Sequence, residues 1–549
     1  MLPILRRTIF LFGLLVMLAG VNDAPVSARS DKPLLKYINL VDTWDAATAR
    51  TYADNLLSRV TPALYLPELE IGHPDDGAVF PPNMASPHFF WNDTFFLSDA
   101  WLVVIEAAGG ERVCCFTDQP RWVPEQTTWN WLLRHMGNNT ATLTIIGVNR
   151  SKGLKPVNRT QITFSISPDP FDGVLFYKQT RLPFLAAREH PEQSAWVLAD
   201  IAAYEPPRTV LTGVQTCAHC HTFAPNGQVF GMDVDRNGDK GGYLLAPVTP
   251  RMQIDKGHFI SWNSFRPEDE QSSMGLFTKV SPCGRYLVST VKETSLFAML
   301  PDIWFSQLFF PIEGQLAFYD RGERRFAALP GADRTDAVQT CPAWSPDGQK
   351  IVFARAPVDA ALVDLIQDKK YLTPAKGESI ADLNRRYRIR FDLYTLPFNH
   401  GNGGKPTPLE GASQNGRSNY FPCYSPDGRW IAFNQSDTGL VLQPDSALYL
   451  IPAEGGKARR MRCNTGRMNS WHCWSPNSRW LVYASKAITP YTELLLTHVD
   501  AAGNDSPPVA LTRLNREGFA AVLPEVIPQN GNLPENIHID NSVIAGTVE

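Results

Sequence analysis

Two thiols and an adjoining imidazole fall within five residues at Cys217-Ala218-His219-Cys220-His221. The spacing C-x-x-C-H is that of covalent c-type haem attachment. Each thiol can add across a haem vinyl group, and the adjoining His221 can offer an imidazole nitrogen to the iron. Two other readings weigh less. Structural zinc takes four nitrogen or sulfur ligands, normally as two close pairs, and no second C-x-x-C and no H-x-x-x-H occurs. A thioredoxin-like redox pair belongs at a strand-to-helix junction, whereas Pro225-Asn226-Gly227 reads as a hairpin turn. Cys217 and Cys220 are therefore the expected thioether positions of one covalent haem c, and His221 the expected proximal ligand.

Covalent haem c is attached outside the cytoplasm, and the N-terminus agrees. Arg6 and Arg7 precede the apolar run Ile9 to Val21, and Val26-Ser27-Ala28 offers a small-residue cleavage site before Arg29. Residues 1–28 read as a Sec-type signal peptide, too short for a comfortable membrane span. Periplasmic or other export is expected, with no integral span once the peptide is cleaved; an uncleaved anchor is the alternative. No cysteine lies near the cleavage site, so no lipid anchor is indicated.

Cleavage leaves roughly 520 residues, enough for two or three domains. Apolar content of 44% and charged content of 19% suit well-cored globular domains. A formal net charge of −4 argues against nucleic acid or an anionic membrane as partner. Of nine cysteines the motif takes two, leaving an odd number; with Cys114 and Cys115 adjacent, a dense disulfide framework is excluded. The remainder read as small buried hydrophobes.

Residues 29–60 form a lead-in whose helical candidate is Asp42 to Val60. Over 61–185 the candidate strands His88 to Asn92, Ala100 to Ala107, Thr140 to Val148 and Gln161 to Ile166 predict an antiparallel β-sandwich of immunoglobulin or fibronectin type. His73 and His88 read there as solvated or core histidines.

A repeat then takes over. Ala343-Trp344-Ser345-Pro346-Asp347-Gly348 matches Cys423-Tyr424-Ser425-Pro426-Asp427-Gly428 and Cys473-Trp474-Ser475-Pro476-Asn477-Ser478, with a fourth copy at Val280-Ser281-Pro282-Cys283-Gly284. Each copy is a strand, a tight turn and a second apolar strand, the pattern of propeller blades. A degenerate copy starts at the C-x-x-C-H motif and another at Ala521-Val522-Leu523-Pro524. Strands from Ala195 to Ile201 and Arg208 to Leu211 would complete that last blade, splicing both chain regions into one sheet and removing its edges. The expectation is an all-β chain with six blades over 186–530 and a tail over 531–549; an insertion at Val358 to Arg388 leaves five and seven open.

The Ser-Pro-Asp-Gly copies resemble the repeats of the TolB family. With Cys217 to His221 and Met232-Asp233-Val234-Asp235, the chain resembles bacterial exported cytochrome-c-like proteins carrying TolB-type (PD40, WD40-like) repeats. The resemblance implies a haem-bearing propeller; TolB's own partners are not implied, since TolB has neither this motif nor this N-terminal domain.

Aligning copies on the turn proline sets Cys217 level with Met274 and Met468, and His221 level with His472. Met274, Met468, His472 and the nearby Met232 are the candidates for a second iron ligand. Asp233, Asp235, Asn237 and Asp239 begin like a calcium loop, but the twelfth position is Leu244, which favours a solvated acidic turn. No G-x-S-x-G, G-x-G-x-x-G or Walker sequence occurs. Three functions follow: an electron carrier passing electrons to an unnamed redox protein, a haem enzyme or sensor with an open sixth position, or a haem-free propeller whose face binds a protein.

Overall fold

Leu102 and Val104 face one apolar cluster and Val103 and Ile105 another, the period-2 alternation of a strand buried on both sides. The computed structural model describes residues 35–60, 65–94, 98–367, 372–529 and 532–545; the expected signal peptide lies outside them. Strand Ala100–Ala107 is central to a six-stranded sheet. Helix Ala46–Arg59, capped where Asp45 accepts the Thr48 amide at 2.6 Å, packs Ala49, Ala53 and Leu56 on one face. Helix Gln126–Met136 and a three-stranded sheet cover the other.

This module differs from an antiparallel sandwich. Leu35–Asn39 runs parallel to Arg112–Thr117, and Ala78–Phe80 runs parallel to Lys155–Ile166. The expected lead-in is thus part of the sheet. Parallel partners distant in sequence leave no local turn signal, so the pattern of residues could not show them.

Six four-stranded antiparallel sheets follow, giving a propeller-like body. Their inner strands are β1 (Ala218–Phe223), β2 (Leu276–Val280), β3 (Ala337–Trp344), β4 (Ser418–Tyr424), β5 (Asn469–Trp474) and β6 (Phe519–Pro528). Each touches the next, and β6 touches both β5 and β1, so the succession closes. The sheet holding β6 takes its other three strands from Gly173–Arg181, Ala195–Ala199 and Arg208–Thr212. Gly173–Arg181 lies inside the range expected for the sandwich, yet pairs with β6 along its length. Within the expected tail, Asn536–Ile539 pairs in parallel with Arg251–Ile254, and Ile544 joins the core of the first sheet.

The repeated turn has a chemical reason. Ser345 Oγ donates to Asp347 at 2.5 Å and accepts the Lys350 amide at 2.9 Å, closing the turn on both sides. Gly348 follows at φ +69°, where a side chain would be strained. Ser425, Asp427 and Gly428 repeat the arrangement.

Trp480 joins the two modules, fully buried, with its indole N–H donating to the Asp169 carbonyl at 3.1 Å. Trp480→Ala is expected to cost about 3–5 kcal/mol. Equilibrium denaturation checks this, and a loss below about 1 kcal/mol would show that the junction carries no weight.

Candidate functional site at the ring axis

Each inner strand carries a bulge, and its position differs in one of them. In β2 to β6 the ladder slips between the sixth and third residues before the turn proline. The fifth residue is then Phe277, Cys341, Phe421, Trp471 or Leu523, at φ values of 58, 51, 48, 46 and 55°. In β1 the slip lies one residue earlier in the chain, between Ala218 and His221. A one-residue change of register exchanges the faces of a strand.

His221 consequently stays in the ladder opposite Met232, on the face that Phe223 shares with Phe230. That face packs on Phe176, whose ring meets His221 edge-on at 4.6 Å and Phe223 at 5.0 Å. His221 is 3% exposed, and neither ring nitrogen makes a hydrogen bond of normal geometry, the Leu523 backbone being the nearest opportunity. Burial holds its pKa well below the usual range, so the ring is neutral.

His219 and Cys220 form the bulge itself, opposite Asp233. The Cys220 sulfur lies 3.7 Å from His219 Nδ1, and both side chains keep some solvent exposure. Burial, with Lys178 second, pulls His219 down to about 3, leaving it a neutral donor at physiological pH. Cys217 has an accessible surface, yet the surrounding protein withdraws its thiol from bulk water and raises its pKa, with Lys178 opposing. Lys178 itself is buried, stacks on Trp196 at 5.0 Å and donates to the Ala218 carbonyl at 2.7 Å, tying the motif to the closing sheet.

Three residues before the turn proline stand Lys279, Cys423, Cys473 and Glu525 on β2, β4, β5 and β6. Glu525 bridges strands: one oxygen accepts from Lys279 at 2.9 Å and the other from the Phe223 amide at 2.7 Å. Burial lowers the Lys279 pKa, but Glu525 outweighs it and the net direction is upward. One step along, Phe277 of β2 meets Phe421 of β4 at 5.3 Å, so side chains of nonadjacent strands touch across the ring.

The end of the ring at which the motif enters is covered. Hairpin Ser295–Met299 and Gln307–Pro311 packs with helices Ala360–Gln367 and Ile380–Arg386 in one apolar cluster. Phe184 joins this hairpin through Phe297 at 6.0 Å and lies 6.5 Å from His219. The hairpin tip is pinned by Lys486, which donates to the carbonyls of Ile303 and Trp304, while Arg467 stacks on Trp304 at 4.1 Å.

The four candidates for a second iron ligand differ in burial and surroundings. Met232 is fully buried and lies beside His221 on the neighbouring strand. Met468 is 3% exposed. His472 is 9% exposed, and its Nε2 faces the Ala432 carbonyl at 3.0 Å. Met274 alone of the four is partly exposed. Among the described residues no cluster of three or more His, Cys, Asp or Glu is arranged for a metal ion; Asp235 pairs with Lys240 and Asp239 accepts from Asn263, as an acidic turn does. Of the seven other cysteines, Cys114, Cys115, Cys341 and Cys463 are buried as expected, but Cys283 is exposed and Cys423 and Cys473 are partly so. Reading the sequence singled out neither His219, Lys178, Lys279 nor Glu525; the third position before each turn proline was the signal that would have found the last two.

No family model matches the chain, and no curated protein matches it. Among solved structures it is similar to the Pseudomonas aeruginosa periplasmic gluconolactonase PpgL, with 15% identity, 60% of this chain and 81% of that one covered, and a TM-score of 0.33. It is similar also to an oligogalacturonate lyase from Vibrio parahaemolyticus (13% identity, 61% and 72% covered, TM-score 0.34). A third likeness is to Kuenenia stuttgartiensis hydrazine synthase (13% identity, 56% and 71% covered, TM-score 0.29). At this level none of them decides what the axial site does.

Asp233, lifted by burial from the ordinary 3.8 to about 7, gives the site a pH signature. An acid raised in the folded state binds more protons folded than unfolded, so it costs stability as pH climbs through that interval. Asp233→Asn is expected to gain stability relative to wild type between about pH 4 and 7. Denaturant titrations at pH 4 and pH 8 check it; an unchanged difference would mean Asp233 ionises freely.

Proposed function

We propose that this chain is an exported single-haem c-type protein built on a six-bladed, TolB-like β-propeller, with the haem held at one end of the axis. The six closed sheets and their Ser-Pro-Asp-Gly turns support the blade count. The observation that carries the haem reading is the pair Cys217 and Cys220: both are free of disulfides, both keep exposure, and the Cys220 sulfur lies 3.7 Å from the neutral imidazole of His219. The attachment half of the motif therefore fits a covalent haem. The expected proximal ligand, His221, fits less simply: its nitrogens are buried with the Leu523 backbone nearby, and the Phe176 ring packs against it. Haem, when bound, supplies a one-electron iron couple. The chain's own part is to exclude water through the cap and the aromatic residues around the axis, and to hold Lys178 and Lys279 near the motif.

Electron transfer is the activity favoured for a group so enclosed, and the partner is a redox protein. Because Met232, Met468 and His472 are buried, a second reading has specific support: a haem enzyme or sensor whose sixth position is open unless Met274 fills it. The haem-free binding propeller is the outcome if no haem attaches.

Expression with the signal peptide and a haem-c maturation system is expected to give a c-type pyridine haemochrome of one haem per chain, absent in Cys217→Ala. Carbon monoxide bound rapidly by the reduced protein would favour the open site; no haemochrome would leave only the binding propeller.

A further inference from the structure

The shifted bulge in β1 separates the two imidazoles of the motif. Ala218 and His221 face the seam with the closing sheet, where Ala218 shares a core with Phe176, Met232 and Val234. His219 and Cys220, the two residues set against the single Asp233, leave that face together, as the Cys220 sulfur at 3.7 Å from His219 Nδ1 records. Consecutive residues of a strand point to opposite sides, so a macrocycle tethered through Cys220 would lie on the side away from the His221 ring. A helical turn would bring Cys220 and His221 to one side; this strand does not.

The surroundings agree. His219 is partly exposed and meets Phe184, which belongs to the cap through Phe297. Its Nε2 makes no described hydrogen bond, and its Nδ1 contacts only the neighbouring thiol. His221 is shut in by the Phe176 ring at 4.6 Å and by Met232, its in-register neighbour on the same face of the sheet. Resting on the haem reading above, we propose that His219, not His221, supplies the imidazole to the iron, and that His221 is a positioning residue in the seam between the first and closing sheets.

The test uses the full chain matured with haem c. Covalent haem is quantified by pyridine haemochrome, and ligation is read separately from the ferrous iron–histidine Raman band and ferric electron paramagnetic resonance. His219→Ala is expected to keep haem but lose the iron–histidine band, which added imidazole restores. His219→Met is expected to replace it with a sulfur-ligated ferric spectrum. His221→Ala is expected to leave ligation unchanged and to lower thermal stability. Unchanged ligation in both His219 variants would overturn the proposal even if His221→Ala fails to mature. No haemochrome in the wild-type chain would overturn the haem reading itself, and this assignment with it.

Discussion

The body depends on one long-range pairing, that of Gly173–Arg181 with Phe519–Pro528. The other five four-stranded sheets of the ring are each built from strands close in sequence. This one brings together segments more than 300 residues apart, as in the hydrogen-bonded contact of Tyr177 with the Leu514 carbonyl. It removes the two unpaired edges that an open succession of sheets would present to solvent or to another chain. It also places Glu525 where its carboxylate can reach β1 and β2 together. The loop-closure entropy is large, but it grows only logarithmically with length, and a whole sheet of ladder bonds and buried apolar surface offsets it.

The propeller-like body was legible because its repeat is chemical. Ser, Pro, Asp and Gly each have a defined task in the turn, and any copy retaining them announces two strands. The N-terminal module lacks such a unit. Its outer strands, Leu35–Asn39 and Ala78–Phe80, are short, and parallel pairing leaves no local trace. Helix Gln126–Met136 hides Trp129 and Leu132 in a stretch otherwise full of strand formers.

The site was legible by residue type and illegible by direction. Cys217, Cys220 and His221 stand out in the sequence, but which way each points depends on where the ladder slips. A one-residue displacement of a bulge has no signature in composition or spacing. The axial residues were obscured differently: Lys279 and Glu525 lie in unrelated-looking segments, and only superposing the copies sets them at the same height. Lys178 was read as part of another domain, because its strand belongs to the ring through a partner far along the chain.

The late position of the closing strand has a consequence for the order of assembly. Five inner strands emerge from the ribosome, or from an export channel, before Phe519–Pro528 does. Until that strand arrives, Gly173–Arg181 lacks its neighbour and the axis is open along one side. Closure of the ring is therefore the last step of its assembly, and a chain cut before Phe519 would leave Gly173–Arg181 as a bare sheet edge open to pairing with another chain.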